Sequence, residues 1–394
     1  MKVDFTEFNK RLAALNTEQR QAVELPAGHA LVLAGPGSGK TETLAMRIAY
    51  LLSQGTYAGA ILCLTFTESA AANMRARLRG LVGAIAYRVP IHTFHSFCTE
   101  LINRNPEYFY AGALFSVADD LARIAILEGI FKNLPHDNPL RTEHPEQGFV
   151  YLKAAQSAIT HLKKAGMTAH DFAQFLTANK GQFALINAGC AVFNERLSAN
   201  RISVIRAYAE SLRDNTEGLL ENRYASLTQA IYMSLSKALN AAQEDGKTVP
   251  LSAWKEKWTR KDDSGVRIFK DSLYAEKLAA LAHVYAEYRT AMHARALYDF
   301  DDMILDVLQA FKNHTGFKAT VAERYAQVLV DEFQDTNEAQ MRILETFNGD
   351  IMAVGDDDQA IYKFQGAEVT NILNFKKRNP HARVIAFSSN YRSH

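Results

Sequence analysis

The stretch Leu31-Val-Leu-Ala-Gly-Pro-Gly-Ser-Gly-Lys-Thr41 decides how this 394-residue chain folds. A short apolar run enters a glycine-rich turn and leaves it as Lys-Thr, followed by a helical pattern through Arg47 and Leu52. That is the pattern of a phosphate-binding loop at the head of a helix. Gly35, Gly37 and Gly39, with Ser38 between them, let backbone N–H groups turn inward around anionic oxygens. Lys40 is spaced to reach the terminal phosphates, and the Thr41 hydroxyl to hold a magnesium ion. Ala34 fills the first position of the pattern, where glycine is usual; the later glycines carry the cradle. The expectation is a nucleoside triphosphate site.

Upstream, residues 5–25 read as one helix with Leu12, Leu15 and Val23 apolar, and Asn16 or Thr17 followed by Glu18 and Gln19 resembles a capping box. A glutamine amide offers both a donor and an acceptor, which suits the edge of adenine and makes Gln19 the candidate for base contact. Downstream, Ala60-Ile-Leu-Cys-Leu-Thr-Phe-Thr67 is an apolar run too short for a helix and reads as a buried parallel strand. A helix, Glu68–Leu81, follows, and then a strand, Arg88–His92, leading into Thr93-Phe-His-Ser-Phe97. Strands alternating with helices predict an α/β fold with a doubly wound parallel sheet, whose ligands gather at the carboxyl ends of the strands. Phe66 and Thr67 at one such end, and Thr93 and His95 at another, set aromatic rings beside hydroxyls. This pairing suits the bases and phosphates of single-stranded nucleic acid. Alternation along the strand does not decide whether Phe66 and Phe94 face outward or lie in the core.

From about 104 to 292 long helical periodicities take over (Leu114–Lys132, Phe149–Lys164, Arg196–Arg213, Arg223–Gln243, Ile268–Arg295). They predict an all-helical insertion between two parts of the sheet domain, 1–103 and 293–394. Lys153, Lys163 and Lys164, and the basic group from Lys255 to Lys270, suit either a phosphate backbone or a solvated helix face. Trp254 and Trp258, four residues apart, read as a core stripe. The acidic residues of Leu297-Tyr-Asp-Phe-Asp-Asp302 read as caps for the helix that follows.

Gln327-Val-Leu-Val-Asp-Glu-Phe-Gln-Asp-Thr336 is the partner a phosphate loop needs: Asp331 for magnesium, Glu332 to take a proton from the attacking water. A further strand, Asp350–Val354, runs into Gly355-Asp-Asp-Asp-Gln-Ala-Ile-Tyr-Lys-Phe-Gln-Gly-Ala367. There Gln359 is placed to sense the terminal phosphate, and Tyr362 and Phe364 to hold a base. The last strand, Arg383–Phe387, leads to Asn390-Tyr-Arg-Ser-His394, and an ending straight after a strand reads as a truncation.

A formal net charge of +1 means that any basic site is local. Cys63, Cys98 and Cys190 form no CxxC pair, which implies neither a zinc site nor a disulfide framework. The N-terminus has no apolar core of signal-peptide length, and no stretch approaches a membrane span. A reducing, cytoplasmic setting without a membrane partner is expected.

Taken together and in order, these blocks resemble the UvrD/Rep/PcrA-like superfamily 1 DNA helicases, over Leu15–Val23, Ala34–Thr41, Thr65–Arg77, Thr93–Phe97, Tyr298–Met303, Val330–Asn337, Val354–Ala367 and Asn390–Ser393. The resemblance implies a RecA-like domain and ATP-driven 3′-to-5′ translocation on single-stranded DNA and its junctions with duplex, in repair or recombination. It puts Gln19 and Tyr391 on adenine and Arg47 near the nucleotide. Lys40, Thr41, Asp331 and Glu332 become the hydrolytic core, with Gln359 coupling and Arg392 reaching the γ-phosphate. Phe66, His95, Tyr362 and Phe364 become the strand track. Departures are Phe364 for tryptophan, Gln365 for arginine, and Glu68-Ser69 for Asn-Lys. The family's second RecA-like domain, with its arginine finger, is expected downstream, so these residues alone are expected to bind ATP and DNA weakly and hydrolyse slowly. A non-motor scaffold or regulatory subunit of a helicase–nuclease complex is the alternative. A small-molecule kinase is disfavoured by the water-activating acid pair.

Overall fold

The computed structural model describes residues 3–109, 115–146, 148–213, 226–270, 275–356 and 375–387. Gln359, Tyr362, Phe364, Gln365, Tyr391 and Arg392 lie outside the described residues. The chain divides into two units: residues 1–118, 163–166 and 296–394 form the first, and 119–162 and 167–295 the second. The first boundary therefore falls fifteen residues beyond the expected 103, and a four-residue piece of the insertion belongs with the sheet.

In the first unit, α1 (Thr6–Ala14) and α2 (Thr17–Val23) precede β1 (Ala30–Ala34) and α3 (Lys40–Ser53). The one helix expected over 5–25 is two. Asn16 caps α2, accepting from the Gln19 N–H at 2.7 Å, while its extended backbone breaks the helical path after Leu15. Then follow β2 (Ile61–Thr65), α4 (Glu68–Val82), β3 (Ile91–Thr93) and α5 (Phe94–Arg104). After the insertion come the helix Phe300–Asn313, β4 (Gln327–Val330), β5 (Asp350–Gly355) and β6 (Arg383–Phe387).

These six strands form one sheet in the order β6-β1-β5-β4-β2-β3, every neighbouring pair parallel. Both faces are covered, so the strands are apolar at consecutive positions. Ile61 and Cys63 of β2, with Val32, Leu329 and Met352, pack on one face with Leu44 and Ile48 of α3 and Met74 and Leu78 of α4. The alternate residues Leu62 and Leu64, with Leu31, Val328 and Val330, face the other side against Phe94, Phe97, Ile304 and Val307. The order brings β1, β5 and β4 side by side, so their carboxyl ends deliver three segments to one place.

Lys163, at the end of the helix Leu152–Lys164, is fully buried in this unit. Its Nζ lies 2.7 Å from Asp299 Oδ2 and 2.7 Å from Asp302 Oδ1. Asp299 and Asp302 in turn form the capping box of Phe300–Asn313, so the expected cap is present. Lys163 consequently cannot track a phosphate backbone.

The second unit is helical: Asp120–Asn133, most of Leu152–Lys164, Ala169–Cys190, Ile202–Arg213, Leu227–Glu244, Val249–Trp258 and Ala275–Ala294. Trp254 stacks on Phe193 and Trp258 on Phe269, in the core role read from their spacing. Three of the neighbouring basic residues engage groups of their own unit at its surface: Arg267 pairs with Glu256 at 2.7 Å, Lys270 donates to the Glu256 carbonyl, and Lys257 lies over Trp258.

Candidate nucleotide and strand site

The loop leaving β1 is shaped by its glycines. Gly37 and Gly39 have φ of 78° and 87°, a backbone region unfavourable to any residue with a Cβ. A Cβ on Gly39 would also stand 3.0 Å from Gln19 Nε2. Ala34, at the end of β1, is buried and tolerated. Ser38 closes the turn, its hydroxyl donating to the Gly35 carbonyl at 2.7 Å. Lys40 and Thr41 open α3.

Across this loop stand the acids delivered by the next two strands. Lys40 Nζ is 3.3 Å from Glu332 Oε2, past the end of β4, and 3.7 Å from Asp356 Oδ2, past the end of β5. Thr41 lies close enough to Asp331 for its hydroxyl to favour the charged form of that carboxyl. Asp331 is buried, and burial, reinforced by the Glu332 charge beside it, pushes its carboxyl up to about 6. Glu332 adopts φ 50° and ψ 46°, the left-handed region, which costs a non-glycine residue on the order of 1–2 kcal/mol and often marks a functional constraint. A hydroxyl and a carboxylate are the hard oxygen donors a magnesium ion takes, and a divalent cation there would favour the charged form of Asp331 that burial opposes.

Two expected nucleotide contacts are placed differently. Gln19 lies against the loop, but both ends of its amide are engaged, one on the Asn16 N–H in the capping box and the other on the Ser38 carbonyl at 3.1 Å. Arg47 is buried, its Nη1 donating to the carbonyls of Val23 and Leu25 at 2.9 and 2.6 Å. It ties the end of α2 to α3, so its guanidinium is engaged by the backbone there, where it was expected near the nucleotide.

Along the ends of β2 and β3, Phe66 points outward, 49% exposed, while Phe94 is core. The two hydroxyls expected on phosphates instead cap helices: Thr67 accepts from Ala70, and Thr93 accepts from Ser96 while donating to Glu68 Oε1 at 2.8 Å. His95 meets the ring of Phe300 edge-on at 5.8 Å. Burial, with Lys164 adding to it, holds the His95 imidazole below the usual histidine range, so near pH 7 it is a neutral hydrogen-bonding ring. Phe300, 57% exposed, escaped the sequence reading. An aromatic at the start of a helix carries no local signal of exposure.

Beside this ring, burial and the Asp299 charge push the Asp301 carboxyl from its ordinary 3.8 up to about 6. Ionising Asp301 therefore opposes folding. The penalty is absent below about pH 4, grows as pH rises to about 6, and is constant above. Asp301→Asn is expected to match the parent's urea midpoint at pH 4 and exceed it at pH 7.5. A lower midpoint at pH 7.5 would contradict this account.

A glycine-rich loop facing an acid pair, with exposed rings past other strand ends of the same parallel sheet, is the candidate site of an α/β protein. The chain belongs to the UvrD/REP helicase N-terminal domain family, whose model matches residues 15–380. It is 30% identical over 396 residues to ATP-dependent DNA helicase UvrD1 of Mycobacterium tuberculosis, covering 97% of this chain and 38% of that protein. It is 25% identical over 390 residues to ATP-dependent DNA helicase PcrA of Bacillus subtilis, covering 98% and 38%. The PcrA of Staphylococcus aureus is likewise 25% identical. The chain thus spans well under half the length of these relatives. Among the described residues no helix is long and apolar enough to cross a membrane, and Cys63, Cys98 and Cys190 are free and buried.

Proposed function

We propose that the sheet unit is a RecA-like ATP-hydrolysing domain of a 3′-to-5′ DNA helicase. The observation that carries this reading is the meeting of Lys40 with Glu332, and the approach of Thr41 to Asp331, between the ends of β1 and β4 on either side of β5. In the proposed reaction Glu332 takes a proton from water as the water oxygen bonds to the γ-phosphorus. The bond from that phosphorus to the β-phosphate oxygen breaks, leaving ADP and phosphate. Lys40, now against Glu332 and Asp356, turns to the phosphates, and the backbone of Gly35–Gly39 cradles them. Thr41 and Asp331 are the residues that would hold a magnesium ion, which would supply charge neutralisation at the phosphate oxygens.

The strand is proposed to pass over Phe66, His95 and Phe300, with bases stacking on the exposed rings and the neutral imidazole bonding a base or sugar. Titrating a single-stranded oligonucleotide into a magnesium-dependent ATPase assay tests the whole reading. Hydrolysis that responds to the strand supports it, and a chain that binds no ATP, or hydrolyses it with no response to DNA, refutes it. Phe66→Ala is expected to weaken single-strand affinity by about 1–3 kcal/mol, read by fluorescence anisotropy. Unchanged affinity would remove Phe66 from the track.

A further inference from the structure

Gln334 lies two residues beyond the acid pair and is almost fully buried. Its Nε2 donates to Glu332 Oε2 at 2.7 Å, and its Oε1 accepts the backbone N–H of Asp356 at 2.9 Å. The two partners fix which way the amide faces, since an ionised carboxylate only accepts and an N–H only donates. One planar group thus ties the carboxylate that activates water to the first residue beyond β5, whose own carboxylate faces Lys40. The neighbouring backbone is fitted to this amide: a Cβ on Gly355 would stand 2.9 Å from Gln334 Oε1. The Glu332 side chain is more than a third exposed, so its own packing does not confine the carboxylate.

We propose that Gln334 is a positioning residue for hydrolysis: it holds the Glu332 carboxylate where it takes the water's proton and registers it against the end of β5. The inference rests on the reading of Glu332 as the base. Gln334→Met keeps the length and removes both hydrogen bonds. Gly355→Ala leaves every polar group in place and pushes the amide aside.

The test is single-turnover ATP hydrolysis and ATP affinity of the 394-residue chain, in the parent and in a Glu332→Gln background. Each variant is expected to lower the hydrolysis rate by about 10–100-fold, the scale of a misplaced catalytic group, with ATP affinity changed less than about threefold. In the Glu332→Gln background Gln334→Met is expected to cost less than about twofold, because its partner's function is already gone. An equal loss in both backgrounds, or an unchanged rate in Gln334→Met and Gly355→Ala, overturns the inference and leaves the helicase reading standing. A parent chain that hydrolyses no ATP overturns both. Should Gln334→Met fail to fold, Gly355→Ala alone carries the same comparison.

Discussion

Lys40→Ala should reduce ATP turnover on the order of 100–1000-fold while leaving single-strand affinity within about twofold. The first figure is the scale on which enzymes lose rate when one preorganised charge at a transition state is removed. The structure adds a second expectation. Lys40 Nζ lies between the carboxylates of Glu332 and Asp356, so its removal leaves two negative groups facing the incoming phosphates. Nucleotide affinity should therefore fall too, unlike in Glu332→Gln, where a facing charge is removed and bound ATP should persist. Strand affinity is spared because Phe66 and His95 lie past the ends of β2 and β3, with Phe300 against His95, away from the loop after β1. A Lys40→Ala chain with parental turnover would remove the cradle from the chemistry.

The second large effect concerns stability. Lys163→Met keeps the apolar stem of a fully buried lysine and removes the charge between Asp299 and Asp302. Breaking a buried ion pair by deleting one partner typically costs 3–5 kcal/mol, because the remaining charge stays desolvated. That range is expected here at pH 7.5, measured as the loss of unfolding free energy in urea. Asp302→Asn in the same chain should restore part of it, since an asparagine oxygen can still accept the Asp299 N–H that Asp302 now accepts at 3.1 Å. A loss under about 1 kcal/mol, as for an exposed pair such as Arg11–Glu7, would show that Lys163 is relieved by water or proton loss.

The sheet was legible because each buried strand is a short apolar run with a chemical group at its carboxyl end. Ala60–Thr67 marks β2, and Val330 passes directly into Asp331-Glu332. The meeting of Lys40 with Glu332 follows from that placement once the strand order is known, but no local pattern gives the order. Local reading also cannot assign a residue used at long range. The 22-residue helix Ala169–Cys190 carries Asn179, Asn187 and Gly189, all of which lower helix propensity, and it was not among the expected helices. Each serves a distant segment: Asn179 caps Leu227 at 2.8 Å, Asn187 accepts from Phe269 at 2.7 Å, and Gly189 leaves room for the Tyr208 ring. Arg47 is a similar case, its donors matched to two carbonyls at the end of another helix. Gln19 was legible as a residue with a dedicated amide and not as to where that amide would go.

The four-residue return of the chain at Lys163–Gly166 bears on how this protein can be dissected. Gly166 is held there too, its carbonyl accepting from Arg342 Nη1 at 2.6 Å. A deletion cut at 119 and 295 to isolate the sheet would carry away both anchors and strand Asp299 and Asp302 beneath the surface without their lysine. Grafting the helical part onto another scaffold would meet the mirror problem, exporting a bare ammonium. A workable excision would need two seams around a retained 163–166 tether, or compensating neutral residues at 299 and 302.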